Sequence, residues 1–325
     1  MKYASHLVIP STIVLFFAFC SLLNAEVTAQ KEGGKVVVEV DGKPFAMYLA
    51  KSGAKPCIWP IYGPTGKAMT RQYPLGPVQE TEKPDHIHHR SLWFTHGDVN
   101  GLDFWAERGK ESEGWEEKQG LIEHREFVDV KSGSEAVVIA RNDWTDRNGK
   151  KILEDETTMT FGADDAAGLR WIDYDITLKA TAGDVTFGDT KEGTMGIRIA
   201  GTMKPDAKKG GKLINSHGNV DGDAWGKAAP WVAYTGPVEG ETLSIVIFNH
   251  PSSFRYPNHW HARTYGLCAG NPFGLSDFVG NGQNGAYTLK AGESMTLRFR
   301  FLFFTGEADP DKMKAMFEKY AGEEK

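Results

Sequence analysis

The sequence predicts an all-β protein, a large antiparallel β-sandwich with one short helix at its C-terminal end. Many segments are rich in β-branched and aromatic residues or alternate apolar with polar ones, as strands do. Turn signals separate them, in a chain that holds 37 Gly and 15 Pro. Because no helical pattern alternates with these segments, antiparallel sheets packed face to face are favoured over a parallel α/β fold.

The predicted strands follow one another from residue 35 onwards. "KVVVEV" (Lys35 to Val40) and "PFAMYLA" (Pro44 to Ala50) flank Asp41-Gly42, a pair typical of a hairpin turn. Longer strands are predicted over residues 135–144, 169–180, 241–250 and 294–304. The apolar faces of two of them comprise Ile172, Tyr174, Ile176 and Leu178, and Met295, Leu297, Phe299, Phe301 and Phe303.

The one predicted helix follows the last strand. Asp309 is a suitable N-cap, and Pro310 suits the first helical position. An apolar stripe with helical spacing is formed by Met313, Met316, Phe317 and Tyr320. This stripe indicates a helix that packs against a sheet.

Composition and missing motifs narrow the class of protein. The 325 residues are 40% hydrophobic, so a substantial core is expected. The formal net charge of −6 argues against a general nucleic-acid binder, which normally has a basic face. The sequence lacks a GxSxG elbow, a Walker loop, a dinucleotide glycine fingerprint, HExxH and CxxC. Common serine hydrolases, NTPases, Rossmann oxidoreductases and zincins are therefore disfavoured.

The N-terminal segment predicts export. An apolar run from Leu7 to Leu23 follows Lys2 and precedes small residues, the pattern of a secretory signal peptide. Cleavage after Ala25 or Ala29 is compatible with this pattern, and the second site is preferred. We therefore expect a signal peptide over residues 1–29, a single β-sandwich domain over 30–325, and a periplasmic or extracellular location. An uncleaved anchor is the alternative; no later segment is apolar enough to span a membrane.

Two cysteines remain after removal of such a signal peptide. Cys57 and Cys268 could form one disulfide in an exported chain. They could equally be two separate buried thiols, since cysteine packs as a small hydrophobic residue.

The most unusual stretch is "PDHIHHRSLWFTHGDVNG", residues 84–101, which holds four of the ten histidines. If it is extended, one face carries His86, His88, Arg90 and His96, and the other carries His89. Such a face suits a divalent metal held by His86, His88 and His96. Arg90 on the same face disfavours a cation. Neutral histidines could instead bind a polar ligand, exchange protons, or pack as buried polar groups.

Two further segments carry polar groups that suit a sugar. "FNHPSSFRYPNHWHARTYGLCAGNPFG", residues 248–274, is predicted to be a long ordered loop in which aromatic rings alternate with polar groups. Its candidate residues are His250, Trp260, His261, Arg263 and Asn271. "FGDTKEGTMGIRIA", residues 187–200, contributes Glu192 as a general acid or base, and Arg198. Arg71 is a candidate for the rim of the same pocket. The alternative is a loop pinned by its own polar side chains.

Several stretches together resemble a family of exported bacterial proteins labelled "methane oxygenase PmoA", a domain of unknown function. They are "YGPTGKAMTRQYP", "DHIHHRSLWFTHGDVNGLDFW", "GDTKEGTMGIRIA", "NHP" through "WHARTYGL", and "NPFG". Ile87 and Ser91 stand where we expect proline and glycine. The resemblance implies a soluble exported β-sandwich, similar in architecture to galactose-mutarotase-like proteins. It provides no established catalytic residues.

These observations predict an exported carbohydrate-active protein, a glycoside-cleaving or sugar-modifying enzyme, that binds a carbohydrate or small polar ligand. The residues expected to be catalytic are His88, Glu192 and His261. The residues expected to bind substrate are Arg71, His86, His89, Arg90, Arg198, His250, Trp260, Arg263 and Asn271. The alternatives are a non-catalytic glycan-binding module, a metal-dependent oxygenase as the family label suggests, and a structural exported protein.

Overall fold

The computed structural model describes residue 1 and residues 25–107, 116–280 and 282–324. Within these residues the strands are β1 Val27–Glu32, β2 Lys35–Val40, β3 Lys43–Ser52, β4 Lys55–Ile61, β5 Leu92–His96, β6 Leu121–Lys131, β7 Glu135–Thr145, β8 Lys151–Asp164, β9 Leu169–Lys179, β10 Val185–Phe187, β11 Gly193–Arg198, β12 Lys212–Asn215, β13 Trp231–Val238, β14 Glu241–Asn249, β15 His259–Trp260, β16 Leu267–Asn271, β17 Tyr287–Leu289 and β18 Ser294–Thr305. The α-helices are α1 Leu275–Phe278 and α2 Pro310–Ala321, and single 3-10 turns span Glu116–Lys118, Pro205–Ala207 and Asp221–Ala224.

The strands form two large antiparallel sheets. The first has the order β1-β2-β3-β4-β5-β11-β16-β15, and the second has the order β12-β13-β14-β18-β9-β8-β7-β6. A separate two-stranded ribbon joins β10 to β17. All six predicted strands are present, including the two that flank the Asp41-Gly42 turn. The prediction of a large antiparallel β-sandwich is therefore confirmed.

The core lies between the two sheets. Phe45 of the first sheet contacts Phe161 and Phe303 of the second, with ring centroids 5.9 and 6.4 Å apart. In β9 and β18 the predicted apolar faces are buried, because successive side chains of a strand alternate between core and solvent. Each fully buried Phe or Ile contributes about 1.5–3 kcal/mol to folding.

The C-terminal helix covers the outer face of the second sheet. Asp309 caps it, since its side chain accepts a hydrogen bond from the Lys312 amide at 2.8 Å. Met313 and Tyr320 are buried in a cluster that includes Phe248 of β14. The predicted helix, its cap and its packing face are all confirmed.

Cys57 and Cys268 are free buried thiols, so the disulfide alternative is wrong. Cys57 in β4 packs with Trp93 on the outer face of the first sheet, whereas Cys268 in β16 belongs to the core between the sheets. The two side chains therefore lie on opposite faces of one sheet. Burial raises the pKa of the Cys57 thiol to about 11.

The predicted signal segment lies outside the described residues, apart from Met1 and residues 25–29. Residue Ala29 is within β1 and pairs with Val38 of β2. None of the described helices has both the length and the apolarity that crossing a membrane requires.

Candidate functional site

A cleft of about 300 Å³ opens on the face of the first sheet that is turned away from the second. It is lined by His86, His88, His89, Asp103, Trp105, Ala106, Lys191, Glu192, His261, Arg263 and Tyr265. These residues come from the loops before and after β5, the residues before β11, and the segment that joins β15 to β16. All three residues expected to be catalytic therefore lie in one cleft.

The strand order of the first sheet explains this convergence. β5 pairs with β11, β11 pairs with β16, and β16 pairs with β15. Gly193, the first residue of β11, lies opposite His96, and Glu192 packs beside Gly97, where a Cβ would lie 2.8 Å from the Glu192 Cβ. Segments that are about 100 and 170 residues apart in sequence are thereby neighbours in space.

The histidine-rich loop is a turn and not an extended segment. His86 and Ser91 have left-handed backbone conformations, with φ of 45° and 58°, and the His89 amide donates to the His86 carbonyl at 3.0 Å. The ring of His86 lies 4.8 Å from that of His89 and 5.7 Å from that of His88. The prediction that His89 points away from the other two is wrong, because this turn folds all three rings towards the cleft.

Arg71 holds the turn in place and does not line the cleft. Its side chain is buried, and it donates to the carbonyl oxygens of Asp85 and His86 at 2.7 and 3.0 Å. It also pairs with the Asp85 carboxylate at 3.1 Å. The expected substrate contact of Arg71 is not present. The side chain satisfies backbone acceptors that a turn leaves open.

Arg198 is also behind the cleft wall. Its Nη1 donates to Nδ1 of His89 at 3.0 Å. Because a guanidinium has no acceptor, Nδ1 of His89 carries the lone pair and the ring is neutral. Burial, followed by the charge of His88, lowers the pKa of His89 well below its usual range, which agrees with this assignment. The direct substrate contact expected of Arg198 is replaced by contacts with two residues that line the cleft, His89 and Tyr265.

Trp93 of β5 supports His89 from the sheet. The two rings are stacked, 5.4 Å apart. Gly196 of β11 lies opposite Trp93, and a Cβ there would come within 2.7 Å of the indole. Glycine at this position therefore allows the indole to lie flat across the neighbouring strand.

A buried network of charged side chains lies beside Trp105, behind the lining of the cleft. Glu107 accepts from Lys55 at 2.9 Å and pairs with Arg90 at 2.7 Å. Lys55 also donates to the Trp105 carbonyl at 3.3 Å. Arg90 thus binds Glu107 and does not face the cleft. Arg90, which we expect to bind substrate, lies outside the cleft lining, because residue 107 supplies a partner that the sequence did not indicate.

Glu192 and His261 form the opposite wall. The Glu192 carboxylate lies 3.7 Å from the Lys191 ammonium. Nδ1 of His261 is 3.0 Å from the Lys191 carbonyl. Because a carbonyl only accepts, Nδ1 carries the proton and Nε2 of His261 keeps its lone pair. Nδ1 of His88 is buried with no hydrogen-bond partner in the described chain.

The pKa of the carboxyl group and the pKa values of two imidazoles in the cleft are shifted in opposite senses. Burial raises the pKa of Glu192; the Lys191 ammonium opposes this, and Asp103 adds to it. Burial, reinforced by the charge of Lys55, lowers the pKa of His88 to about 3. Burial and the charge of Arg263 lower the pKa of His261 to about 4. Near neutral pH the cleft therefore presents neutral imidazoles to a carboxyl group that holds its proton more readily than usual.

The predicted metal trio does not form. His96 is fully buried, donates from Nε2 to the Gly188 carbonyl at 2.8 Å, and packs against Phe273. It follows Leu92 and Phe94 into the core between the sheets, whereas His86 and His88 are on the outer face. No group of three or more His, Cys, Asp or Glu in the described part of the chain could hold a metal ion.

Three further residues that we expect to bind substrate lie outside the cleft and stabilise the fold instead. His250 packs against Tyr320 of α2, on the second sheet. Trp260 is buried in the core and donates to the Ala229 carbonyl at 2.8 Å. Asn271 donates to the Thr190 carbonyl at 2.9 Å and so fixes the segment that carries Glu192. None of the three lines the cleft, because strand alternation or a local turn directs each elsewhere.

Five residues that line the cleft are not among the predicted site residues: Asp103, Trp105, Ala106, Lys191 and Tyr265. Asp103 accepts from the amides of Trp105 and Ala106 at 2.8 and 2.9 Å. Two of these residues, Asp103 and Trp105, belong to "GLDFW", which begins at the end of the histidine-rich stretch, and Tyr265 lies two residues after "WHAR". Their closeness in sequence to predicted site residues is the signal that could have identified them. Without a strand order, nothing indicated that these side chains meet the histidines.

Comparisons with solved structures show likeness of fold at 10% identity. A galactose mutarotase-like protein from Clostridium acetobutylicum matches with a TM-score of 0.41 over 87% of this chain and 99% of its own. The galactosidase domain of an alpha-galactosidase–sucrose kinase matches with a TM-score of 0.38 over 85% of this chain and 40% of that chain. An alpha-galactosidase from Geobacillus stearothermophilus matches with a TM-score of 0.35 over 86% and 41%. The chain thus spans about two fifths of the length of the two galactosidases.

No curated protein matches this sequence. A family model matches residues 35–318, and it is not the model of the PmoA family. The resemblance to PmoA-labelled proteins is therefore wrong, although the stretches on which it was based lie within the matched range. The chain belongs to DUF6807, a family of unknown function.

Proposed function

We propose that the chain is a carbohydrate-active enzyme that transfers protons to and from a sugar bound in the cleft. One observation carries this proposal: Glu192, whose pKa is raised, shares a closed polar cleft with His88 and His261, whose pKa values are lowered. Titratable groups whose pKa values are perturbed by burial and by neighbouring charges, and which gather in one cleft, are typical of acid–base sites.

Each side chain has a distinct role in this proposal. Glu192, protonated more readily than a solvent-exposed carboxyl, gives a proton to a sugar oxygen. His261, with its proton on Nδ1, uses the free lone pair of Nε2 to accept one. The imidazole of His88, neutral near pH 7, lines the cleft and is available to a hydroxyl group of the sugar. Tyr265 and Trp105 supply flat rings for the apolar face of a sugar.

The arrangement favours sugar modification over glycoside cleavage. Most glycoside hydrolases need two carboxyl groups on either side of the scissile bond. The second carboxylate of this cleft, Asp103, accepts two backbone hydrogen bonds that fix its own loop. An imidazole facing a carboxyl group suits an isomerisation or ring-opening reaction, which needs one acid and one base. The apolar run from Leu7 to Leu23 supports an exported enzyme that meets its sugar outside the cytoplasm.

Turnover of a sugar panel tests the proposal. The purified chain is screened by NMR against common aldoses, their acids and small glycosides, beside Glu192→Gln and His261→Gln. We expect each variant to lose 10²- to 10⁴-fold in kcat, roughly the contribution of one positioned proton donor or acceptor. Glu318→Gln, on the exposed face of α2, is the matched control and keeps full activity. Binding without turnover by the wild-type chain would instead indicate a glycan-binding module.

A further inference from the structure

Two guanidinium groups at the cleft have no carboxylate partner. In the described ranges, neither Arg198 nor Arg263 is within 4.0 Å of an acidic oxygen, whereas Arg71, Arg90 and Arg300 are each paired. Unpaired arginine is ordinary on a surface but costly inside a protein. The two positions therefore need a separate explanation.

Both groups lie against the same ring. The guanidinium of Arg198 is 4.6 Å from the centroid of Tyr265, and that of Arg263 is 5.5 Å from it. Arg198 is only 5% exposed and has a neutral acceptor, Nδ1 of His89. Arg263 is half-buried, lines the cleft and also lies over the ring of Trp225 at 5.9 Å. One end of the cleft thus carries two positive charges around an aromatic ring.

Among the residues that the structure describes, the carboxylates near this end are already engaged. Asp85 pairs with Arg71 and contacts His86. Asp103 accepts from backbone amides, and Glu192 lies beside Lys191. His88, His89 and His261 supply no positive charge to an anion near neutral pH, because their pKa values are lowered. Within the described ranges no carboxylate is left to pair with Arg263, and a ligand can supply the negative charge.

We propose that the sugar bound here carries a carboxylate, as a uronic acid does, and that Arg263 binds this carboxylate while Arg198 adds its charge from behind Tyr265. This inference rests on the proposed function and names its substrate class. Arginine is suited to the task, because its planar fork matches a carboxylate through two parallel hydrogen bonds. A sulfate on a sugar presents similar oxyanion chemistry, so the test separates the two.

Titration calorimetry at fixed pH and salt compares D-glucuronate and D-galacturonate with their neutral methyl esters, with D-glucose and D-galactose, and with glucose 6-sulfate. We expect one of the uronates to bind at least tenfold more tightly than its ester, as a charge-assisted pair implies. Arg263→Gln lowers the affinity for the uronate at least tenfold more than the affinity for its ester, which abolishes the preference, and Arg263→Lys restores part of it. Arg125→Gln, a surface arginine of β6 paired with Asp143 and Glu154, is the control and keeps the preference.

The outcomes distinguish this inference from the proposed function. If the esters or parent sugars bind as tightly as the uronates, the carboxylate inference is overturned and the sugar site stands. If glucose 6-sulfate binds more tightly than every uronate, the carboxylate assignment is also overturned. If none of these sugars binds, the carboxylate inference and the sugar site both fail. An equal loss for uronate and ester in Arg263→Gln shows general damage to the cleft and contradicts the role given to Arg263.

Discussion

The buried network beside Trp105 gives a prediction whose size follows from the structure. Glu107 is shared by Lys55 and Arg90, whose side chains are 0% and 13% exposed. Glu107→Gln keeps the volume but removes the negative charge, leaving a buried ammonium without a counter-ion. Loss of one partner of a buried pair typically costs about 3–5 kcal/mol. Since Arg90 is near the surface, we expect about 3 kcal/mol, well below the 5–15 kcal/mol that keeps a domain folded.

The pH dependence of this loss is also defined. Burial lowers the pKa of Lys55, and Glu107 opposes that shift. Burial tends to raise the pKa of Glu107, but Lys55 and Arg90 lower it overall, so the pair favours both charges. Without Glu107 the pKa of Lys55 falls further. A group whose pKa is lowered by folding opposes folding at low pH, and this penalty disappears as pH rises towards its unfolded pKa. The destabilisation by Glu107→Gln is therefore smaller at pH 9 than at pH 7.

Urea denaturation of the wild type, Glu107→Gln, Lys55→Met and the double variant measures these terms. Lys55→Met in the Glu107→Gln background removes the unpaired ammonium, so the double variant should be more stable than the sum of the single losses predicts. Because Lys55 also holds the Trp105 carbonyl, both single variants should weaken sugar binding. A loss below about 1 kcal/mol for Glu107→Gln, or a loss that does not change with pH, refutes the reasoning.

Two substitutions and one cleavage-site measurement test other parts of the structure. Burial raises the pKa of Asp155 to about 6, so the contribution of this side chain to the free energy of unfolding falls as pH rises from about 4 to 6. In urea titrations the wild type should lose roughly 3 kcal/mol of stability over that range relative to Asp155→Leu. Gly196→Ala forces a Cβ to 2.7 Å from Trp93, and should cost about 1–3 kcal/mol in denaturation while shifting indole fluorescence. Ala29 lies inside β1, so we expect a signal peptidase to cleave after Ala25 when the chain is produced in a secreting host. Mass spectrometry of the product measures the new N-terminus, and cleavage after Ala29 contradicts this expectation.

The sandwich could be predicted because its evidence is local. In β9 and β18, alternation with period two follows directly from strand geometry, and the buried faces match the apolar ones. Likewise, Asp309 and Pro310 determine the start of the C-terminal helix through contacts within its first turn. Such signals need no knowledge of distant residues. The order in which strands pair depends on contacts between segments far apart in sequence, and so the position of the cleft did not follow from the pattern.

The candidate site could be predicted in part for the same reason. His88, Glu192 and His261 were expected on chemical grounds, and the pairing of β5, β11 and β16 brings them together. The predicted separation of His89 from His86 and His88 is wrong, because it assumes an extended backbone. The left-handed backbone of His86 gives no sequence signal, since such a conformation is usually marked by glycine.

Hydrogen-bonding capacity separates the polar residues that maintain the fold from those available to a ligand. Arg71 and Asn271 use their polar atoms on nearby backbone groups, so they stabilise loops and have little left to bind a substrate. Arg263 lines the cleft, and within the described residues its guanidinium has no carboxylate within 4.0 Å; the neutral imidazole of His88 lines the same cleft. Buried polar groups are normally satisfied, so unused capacity at a cleft indicates that a ligand supplies the missing partner. Both groups can be paired at once by a molecule that has a hydroxyl group and a negative charge, which a sugar acid provides.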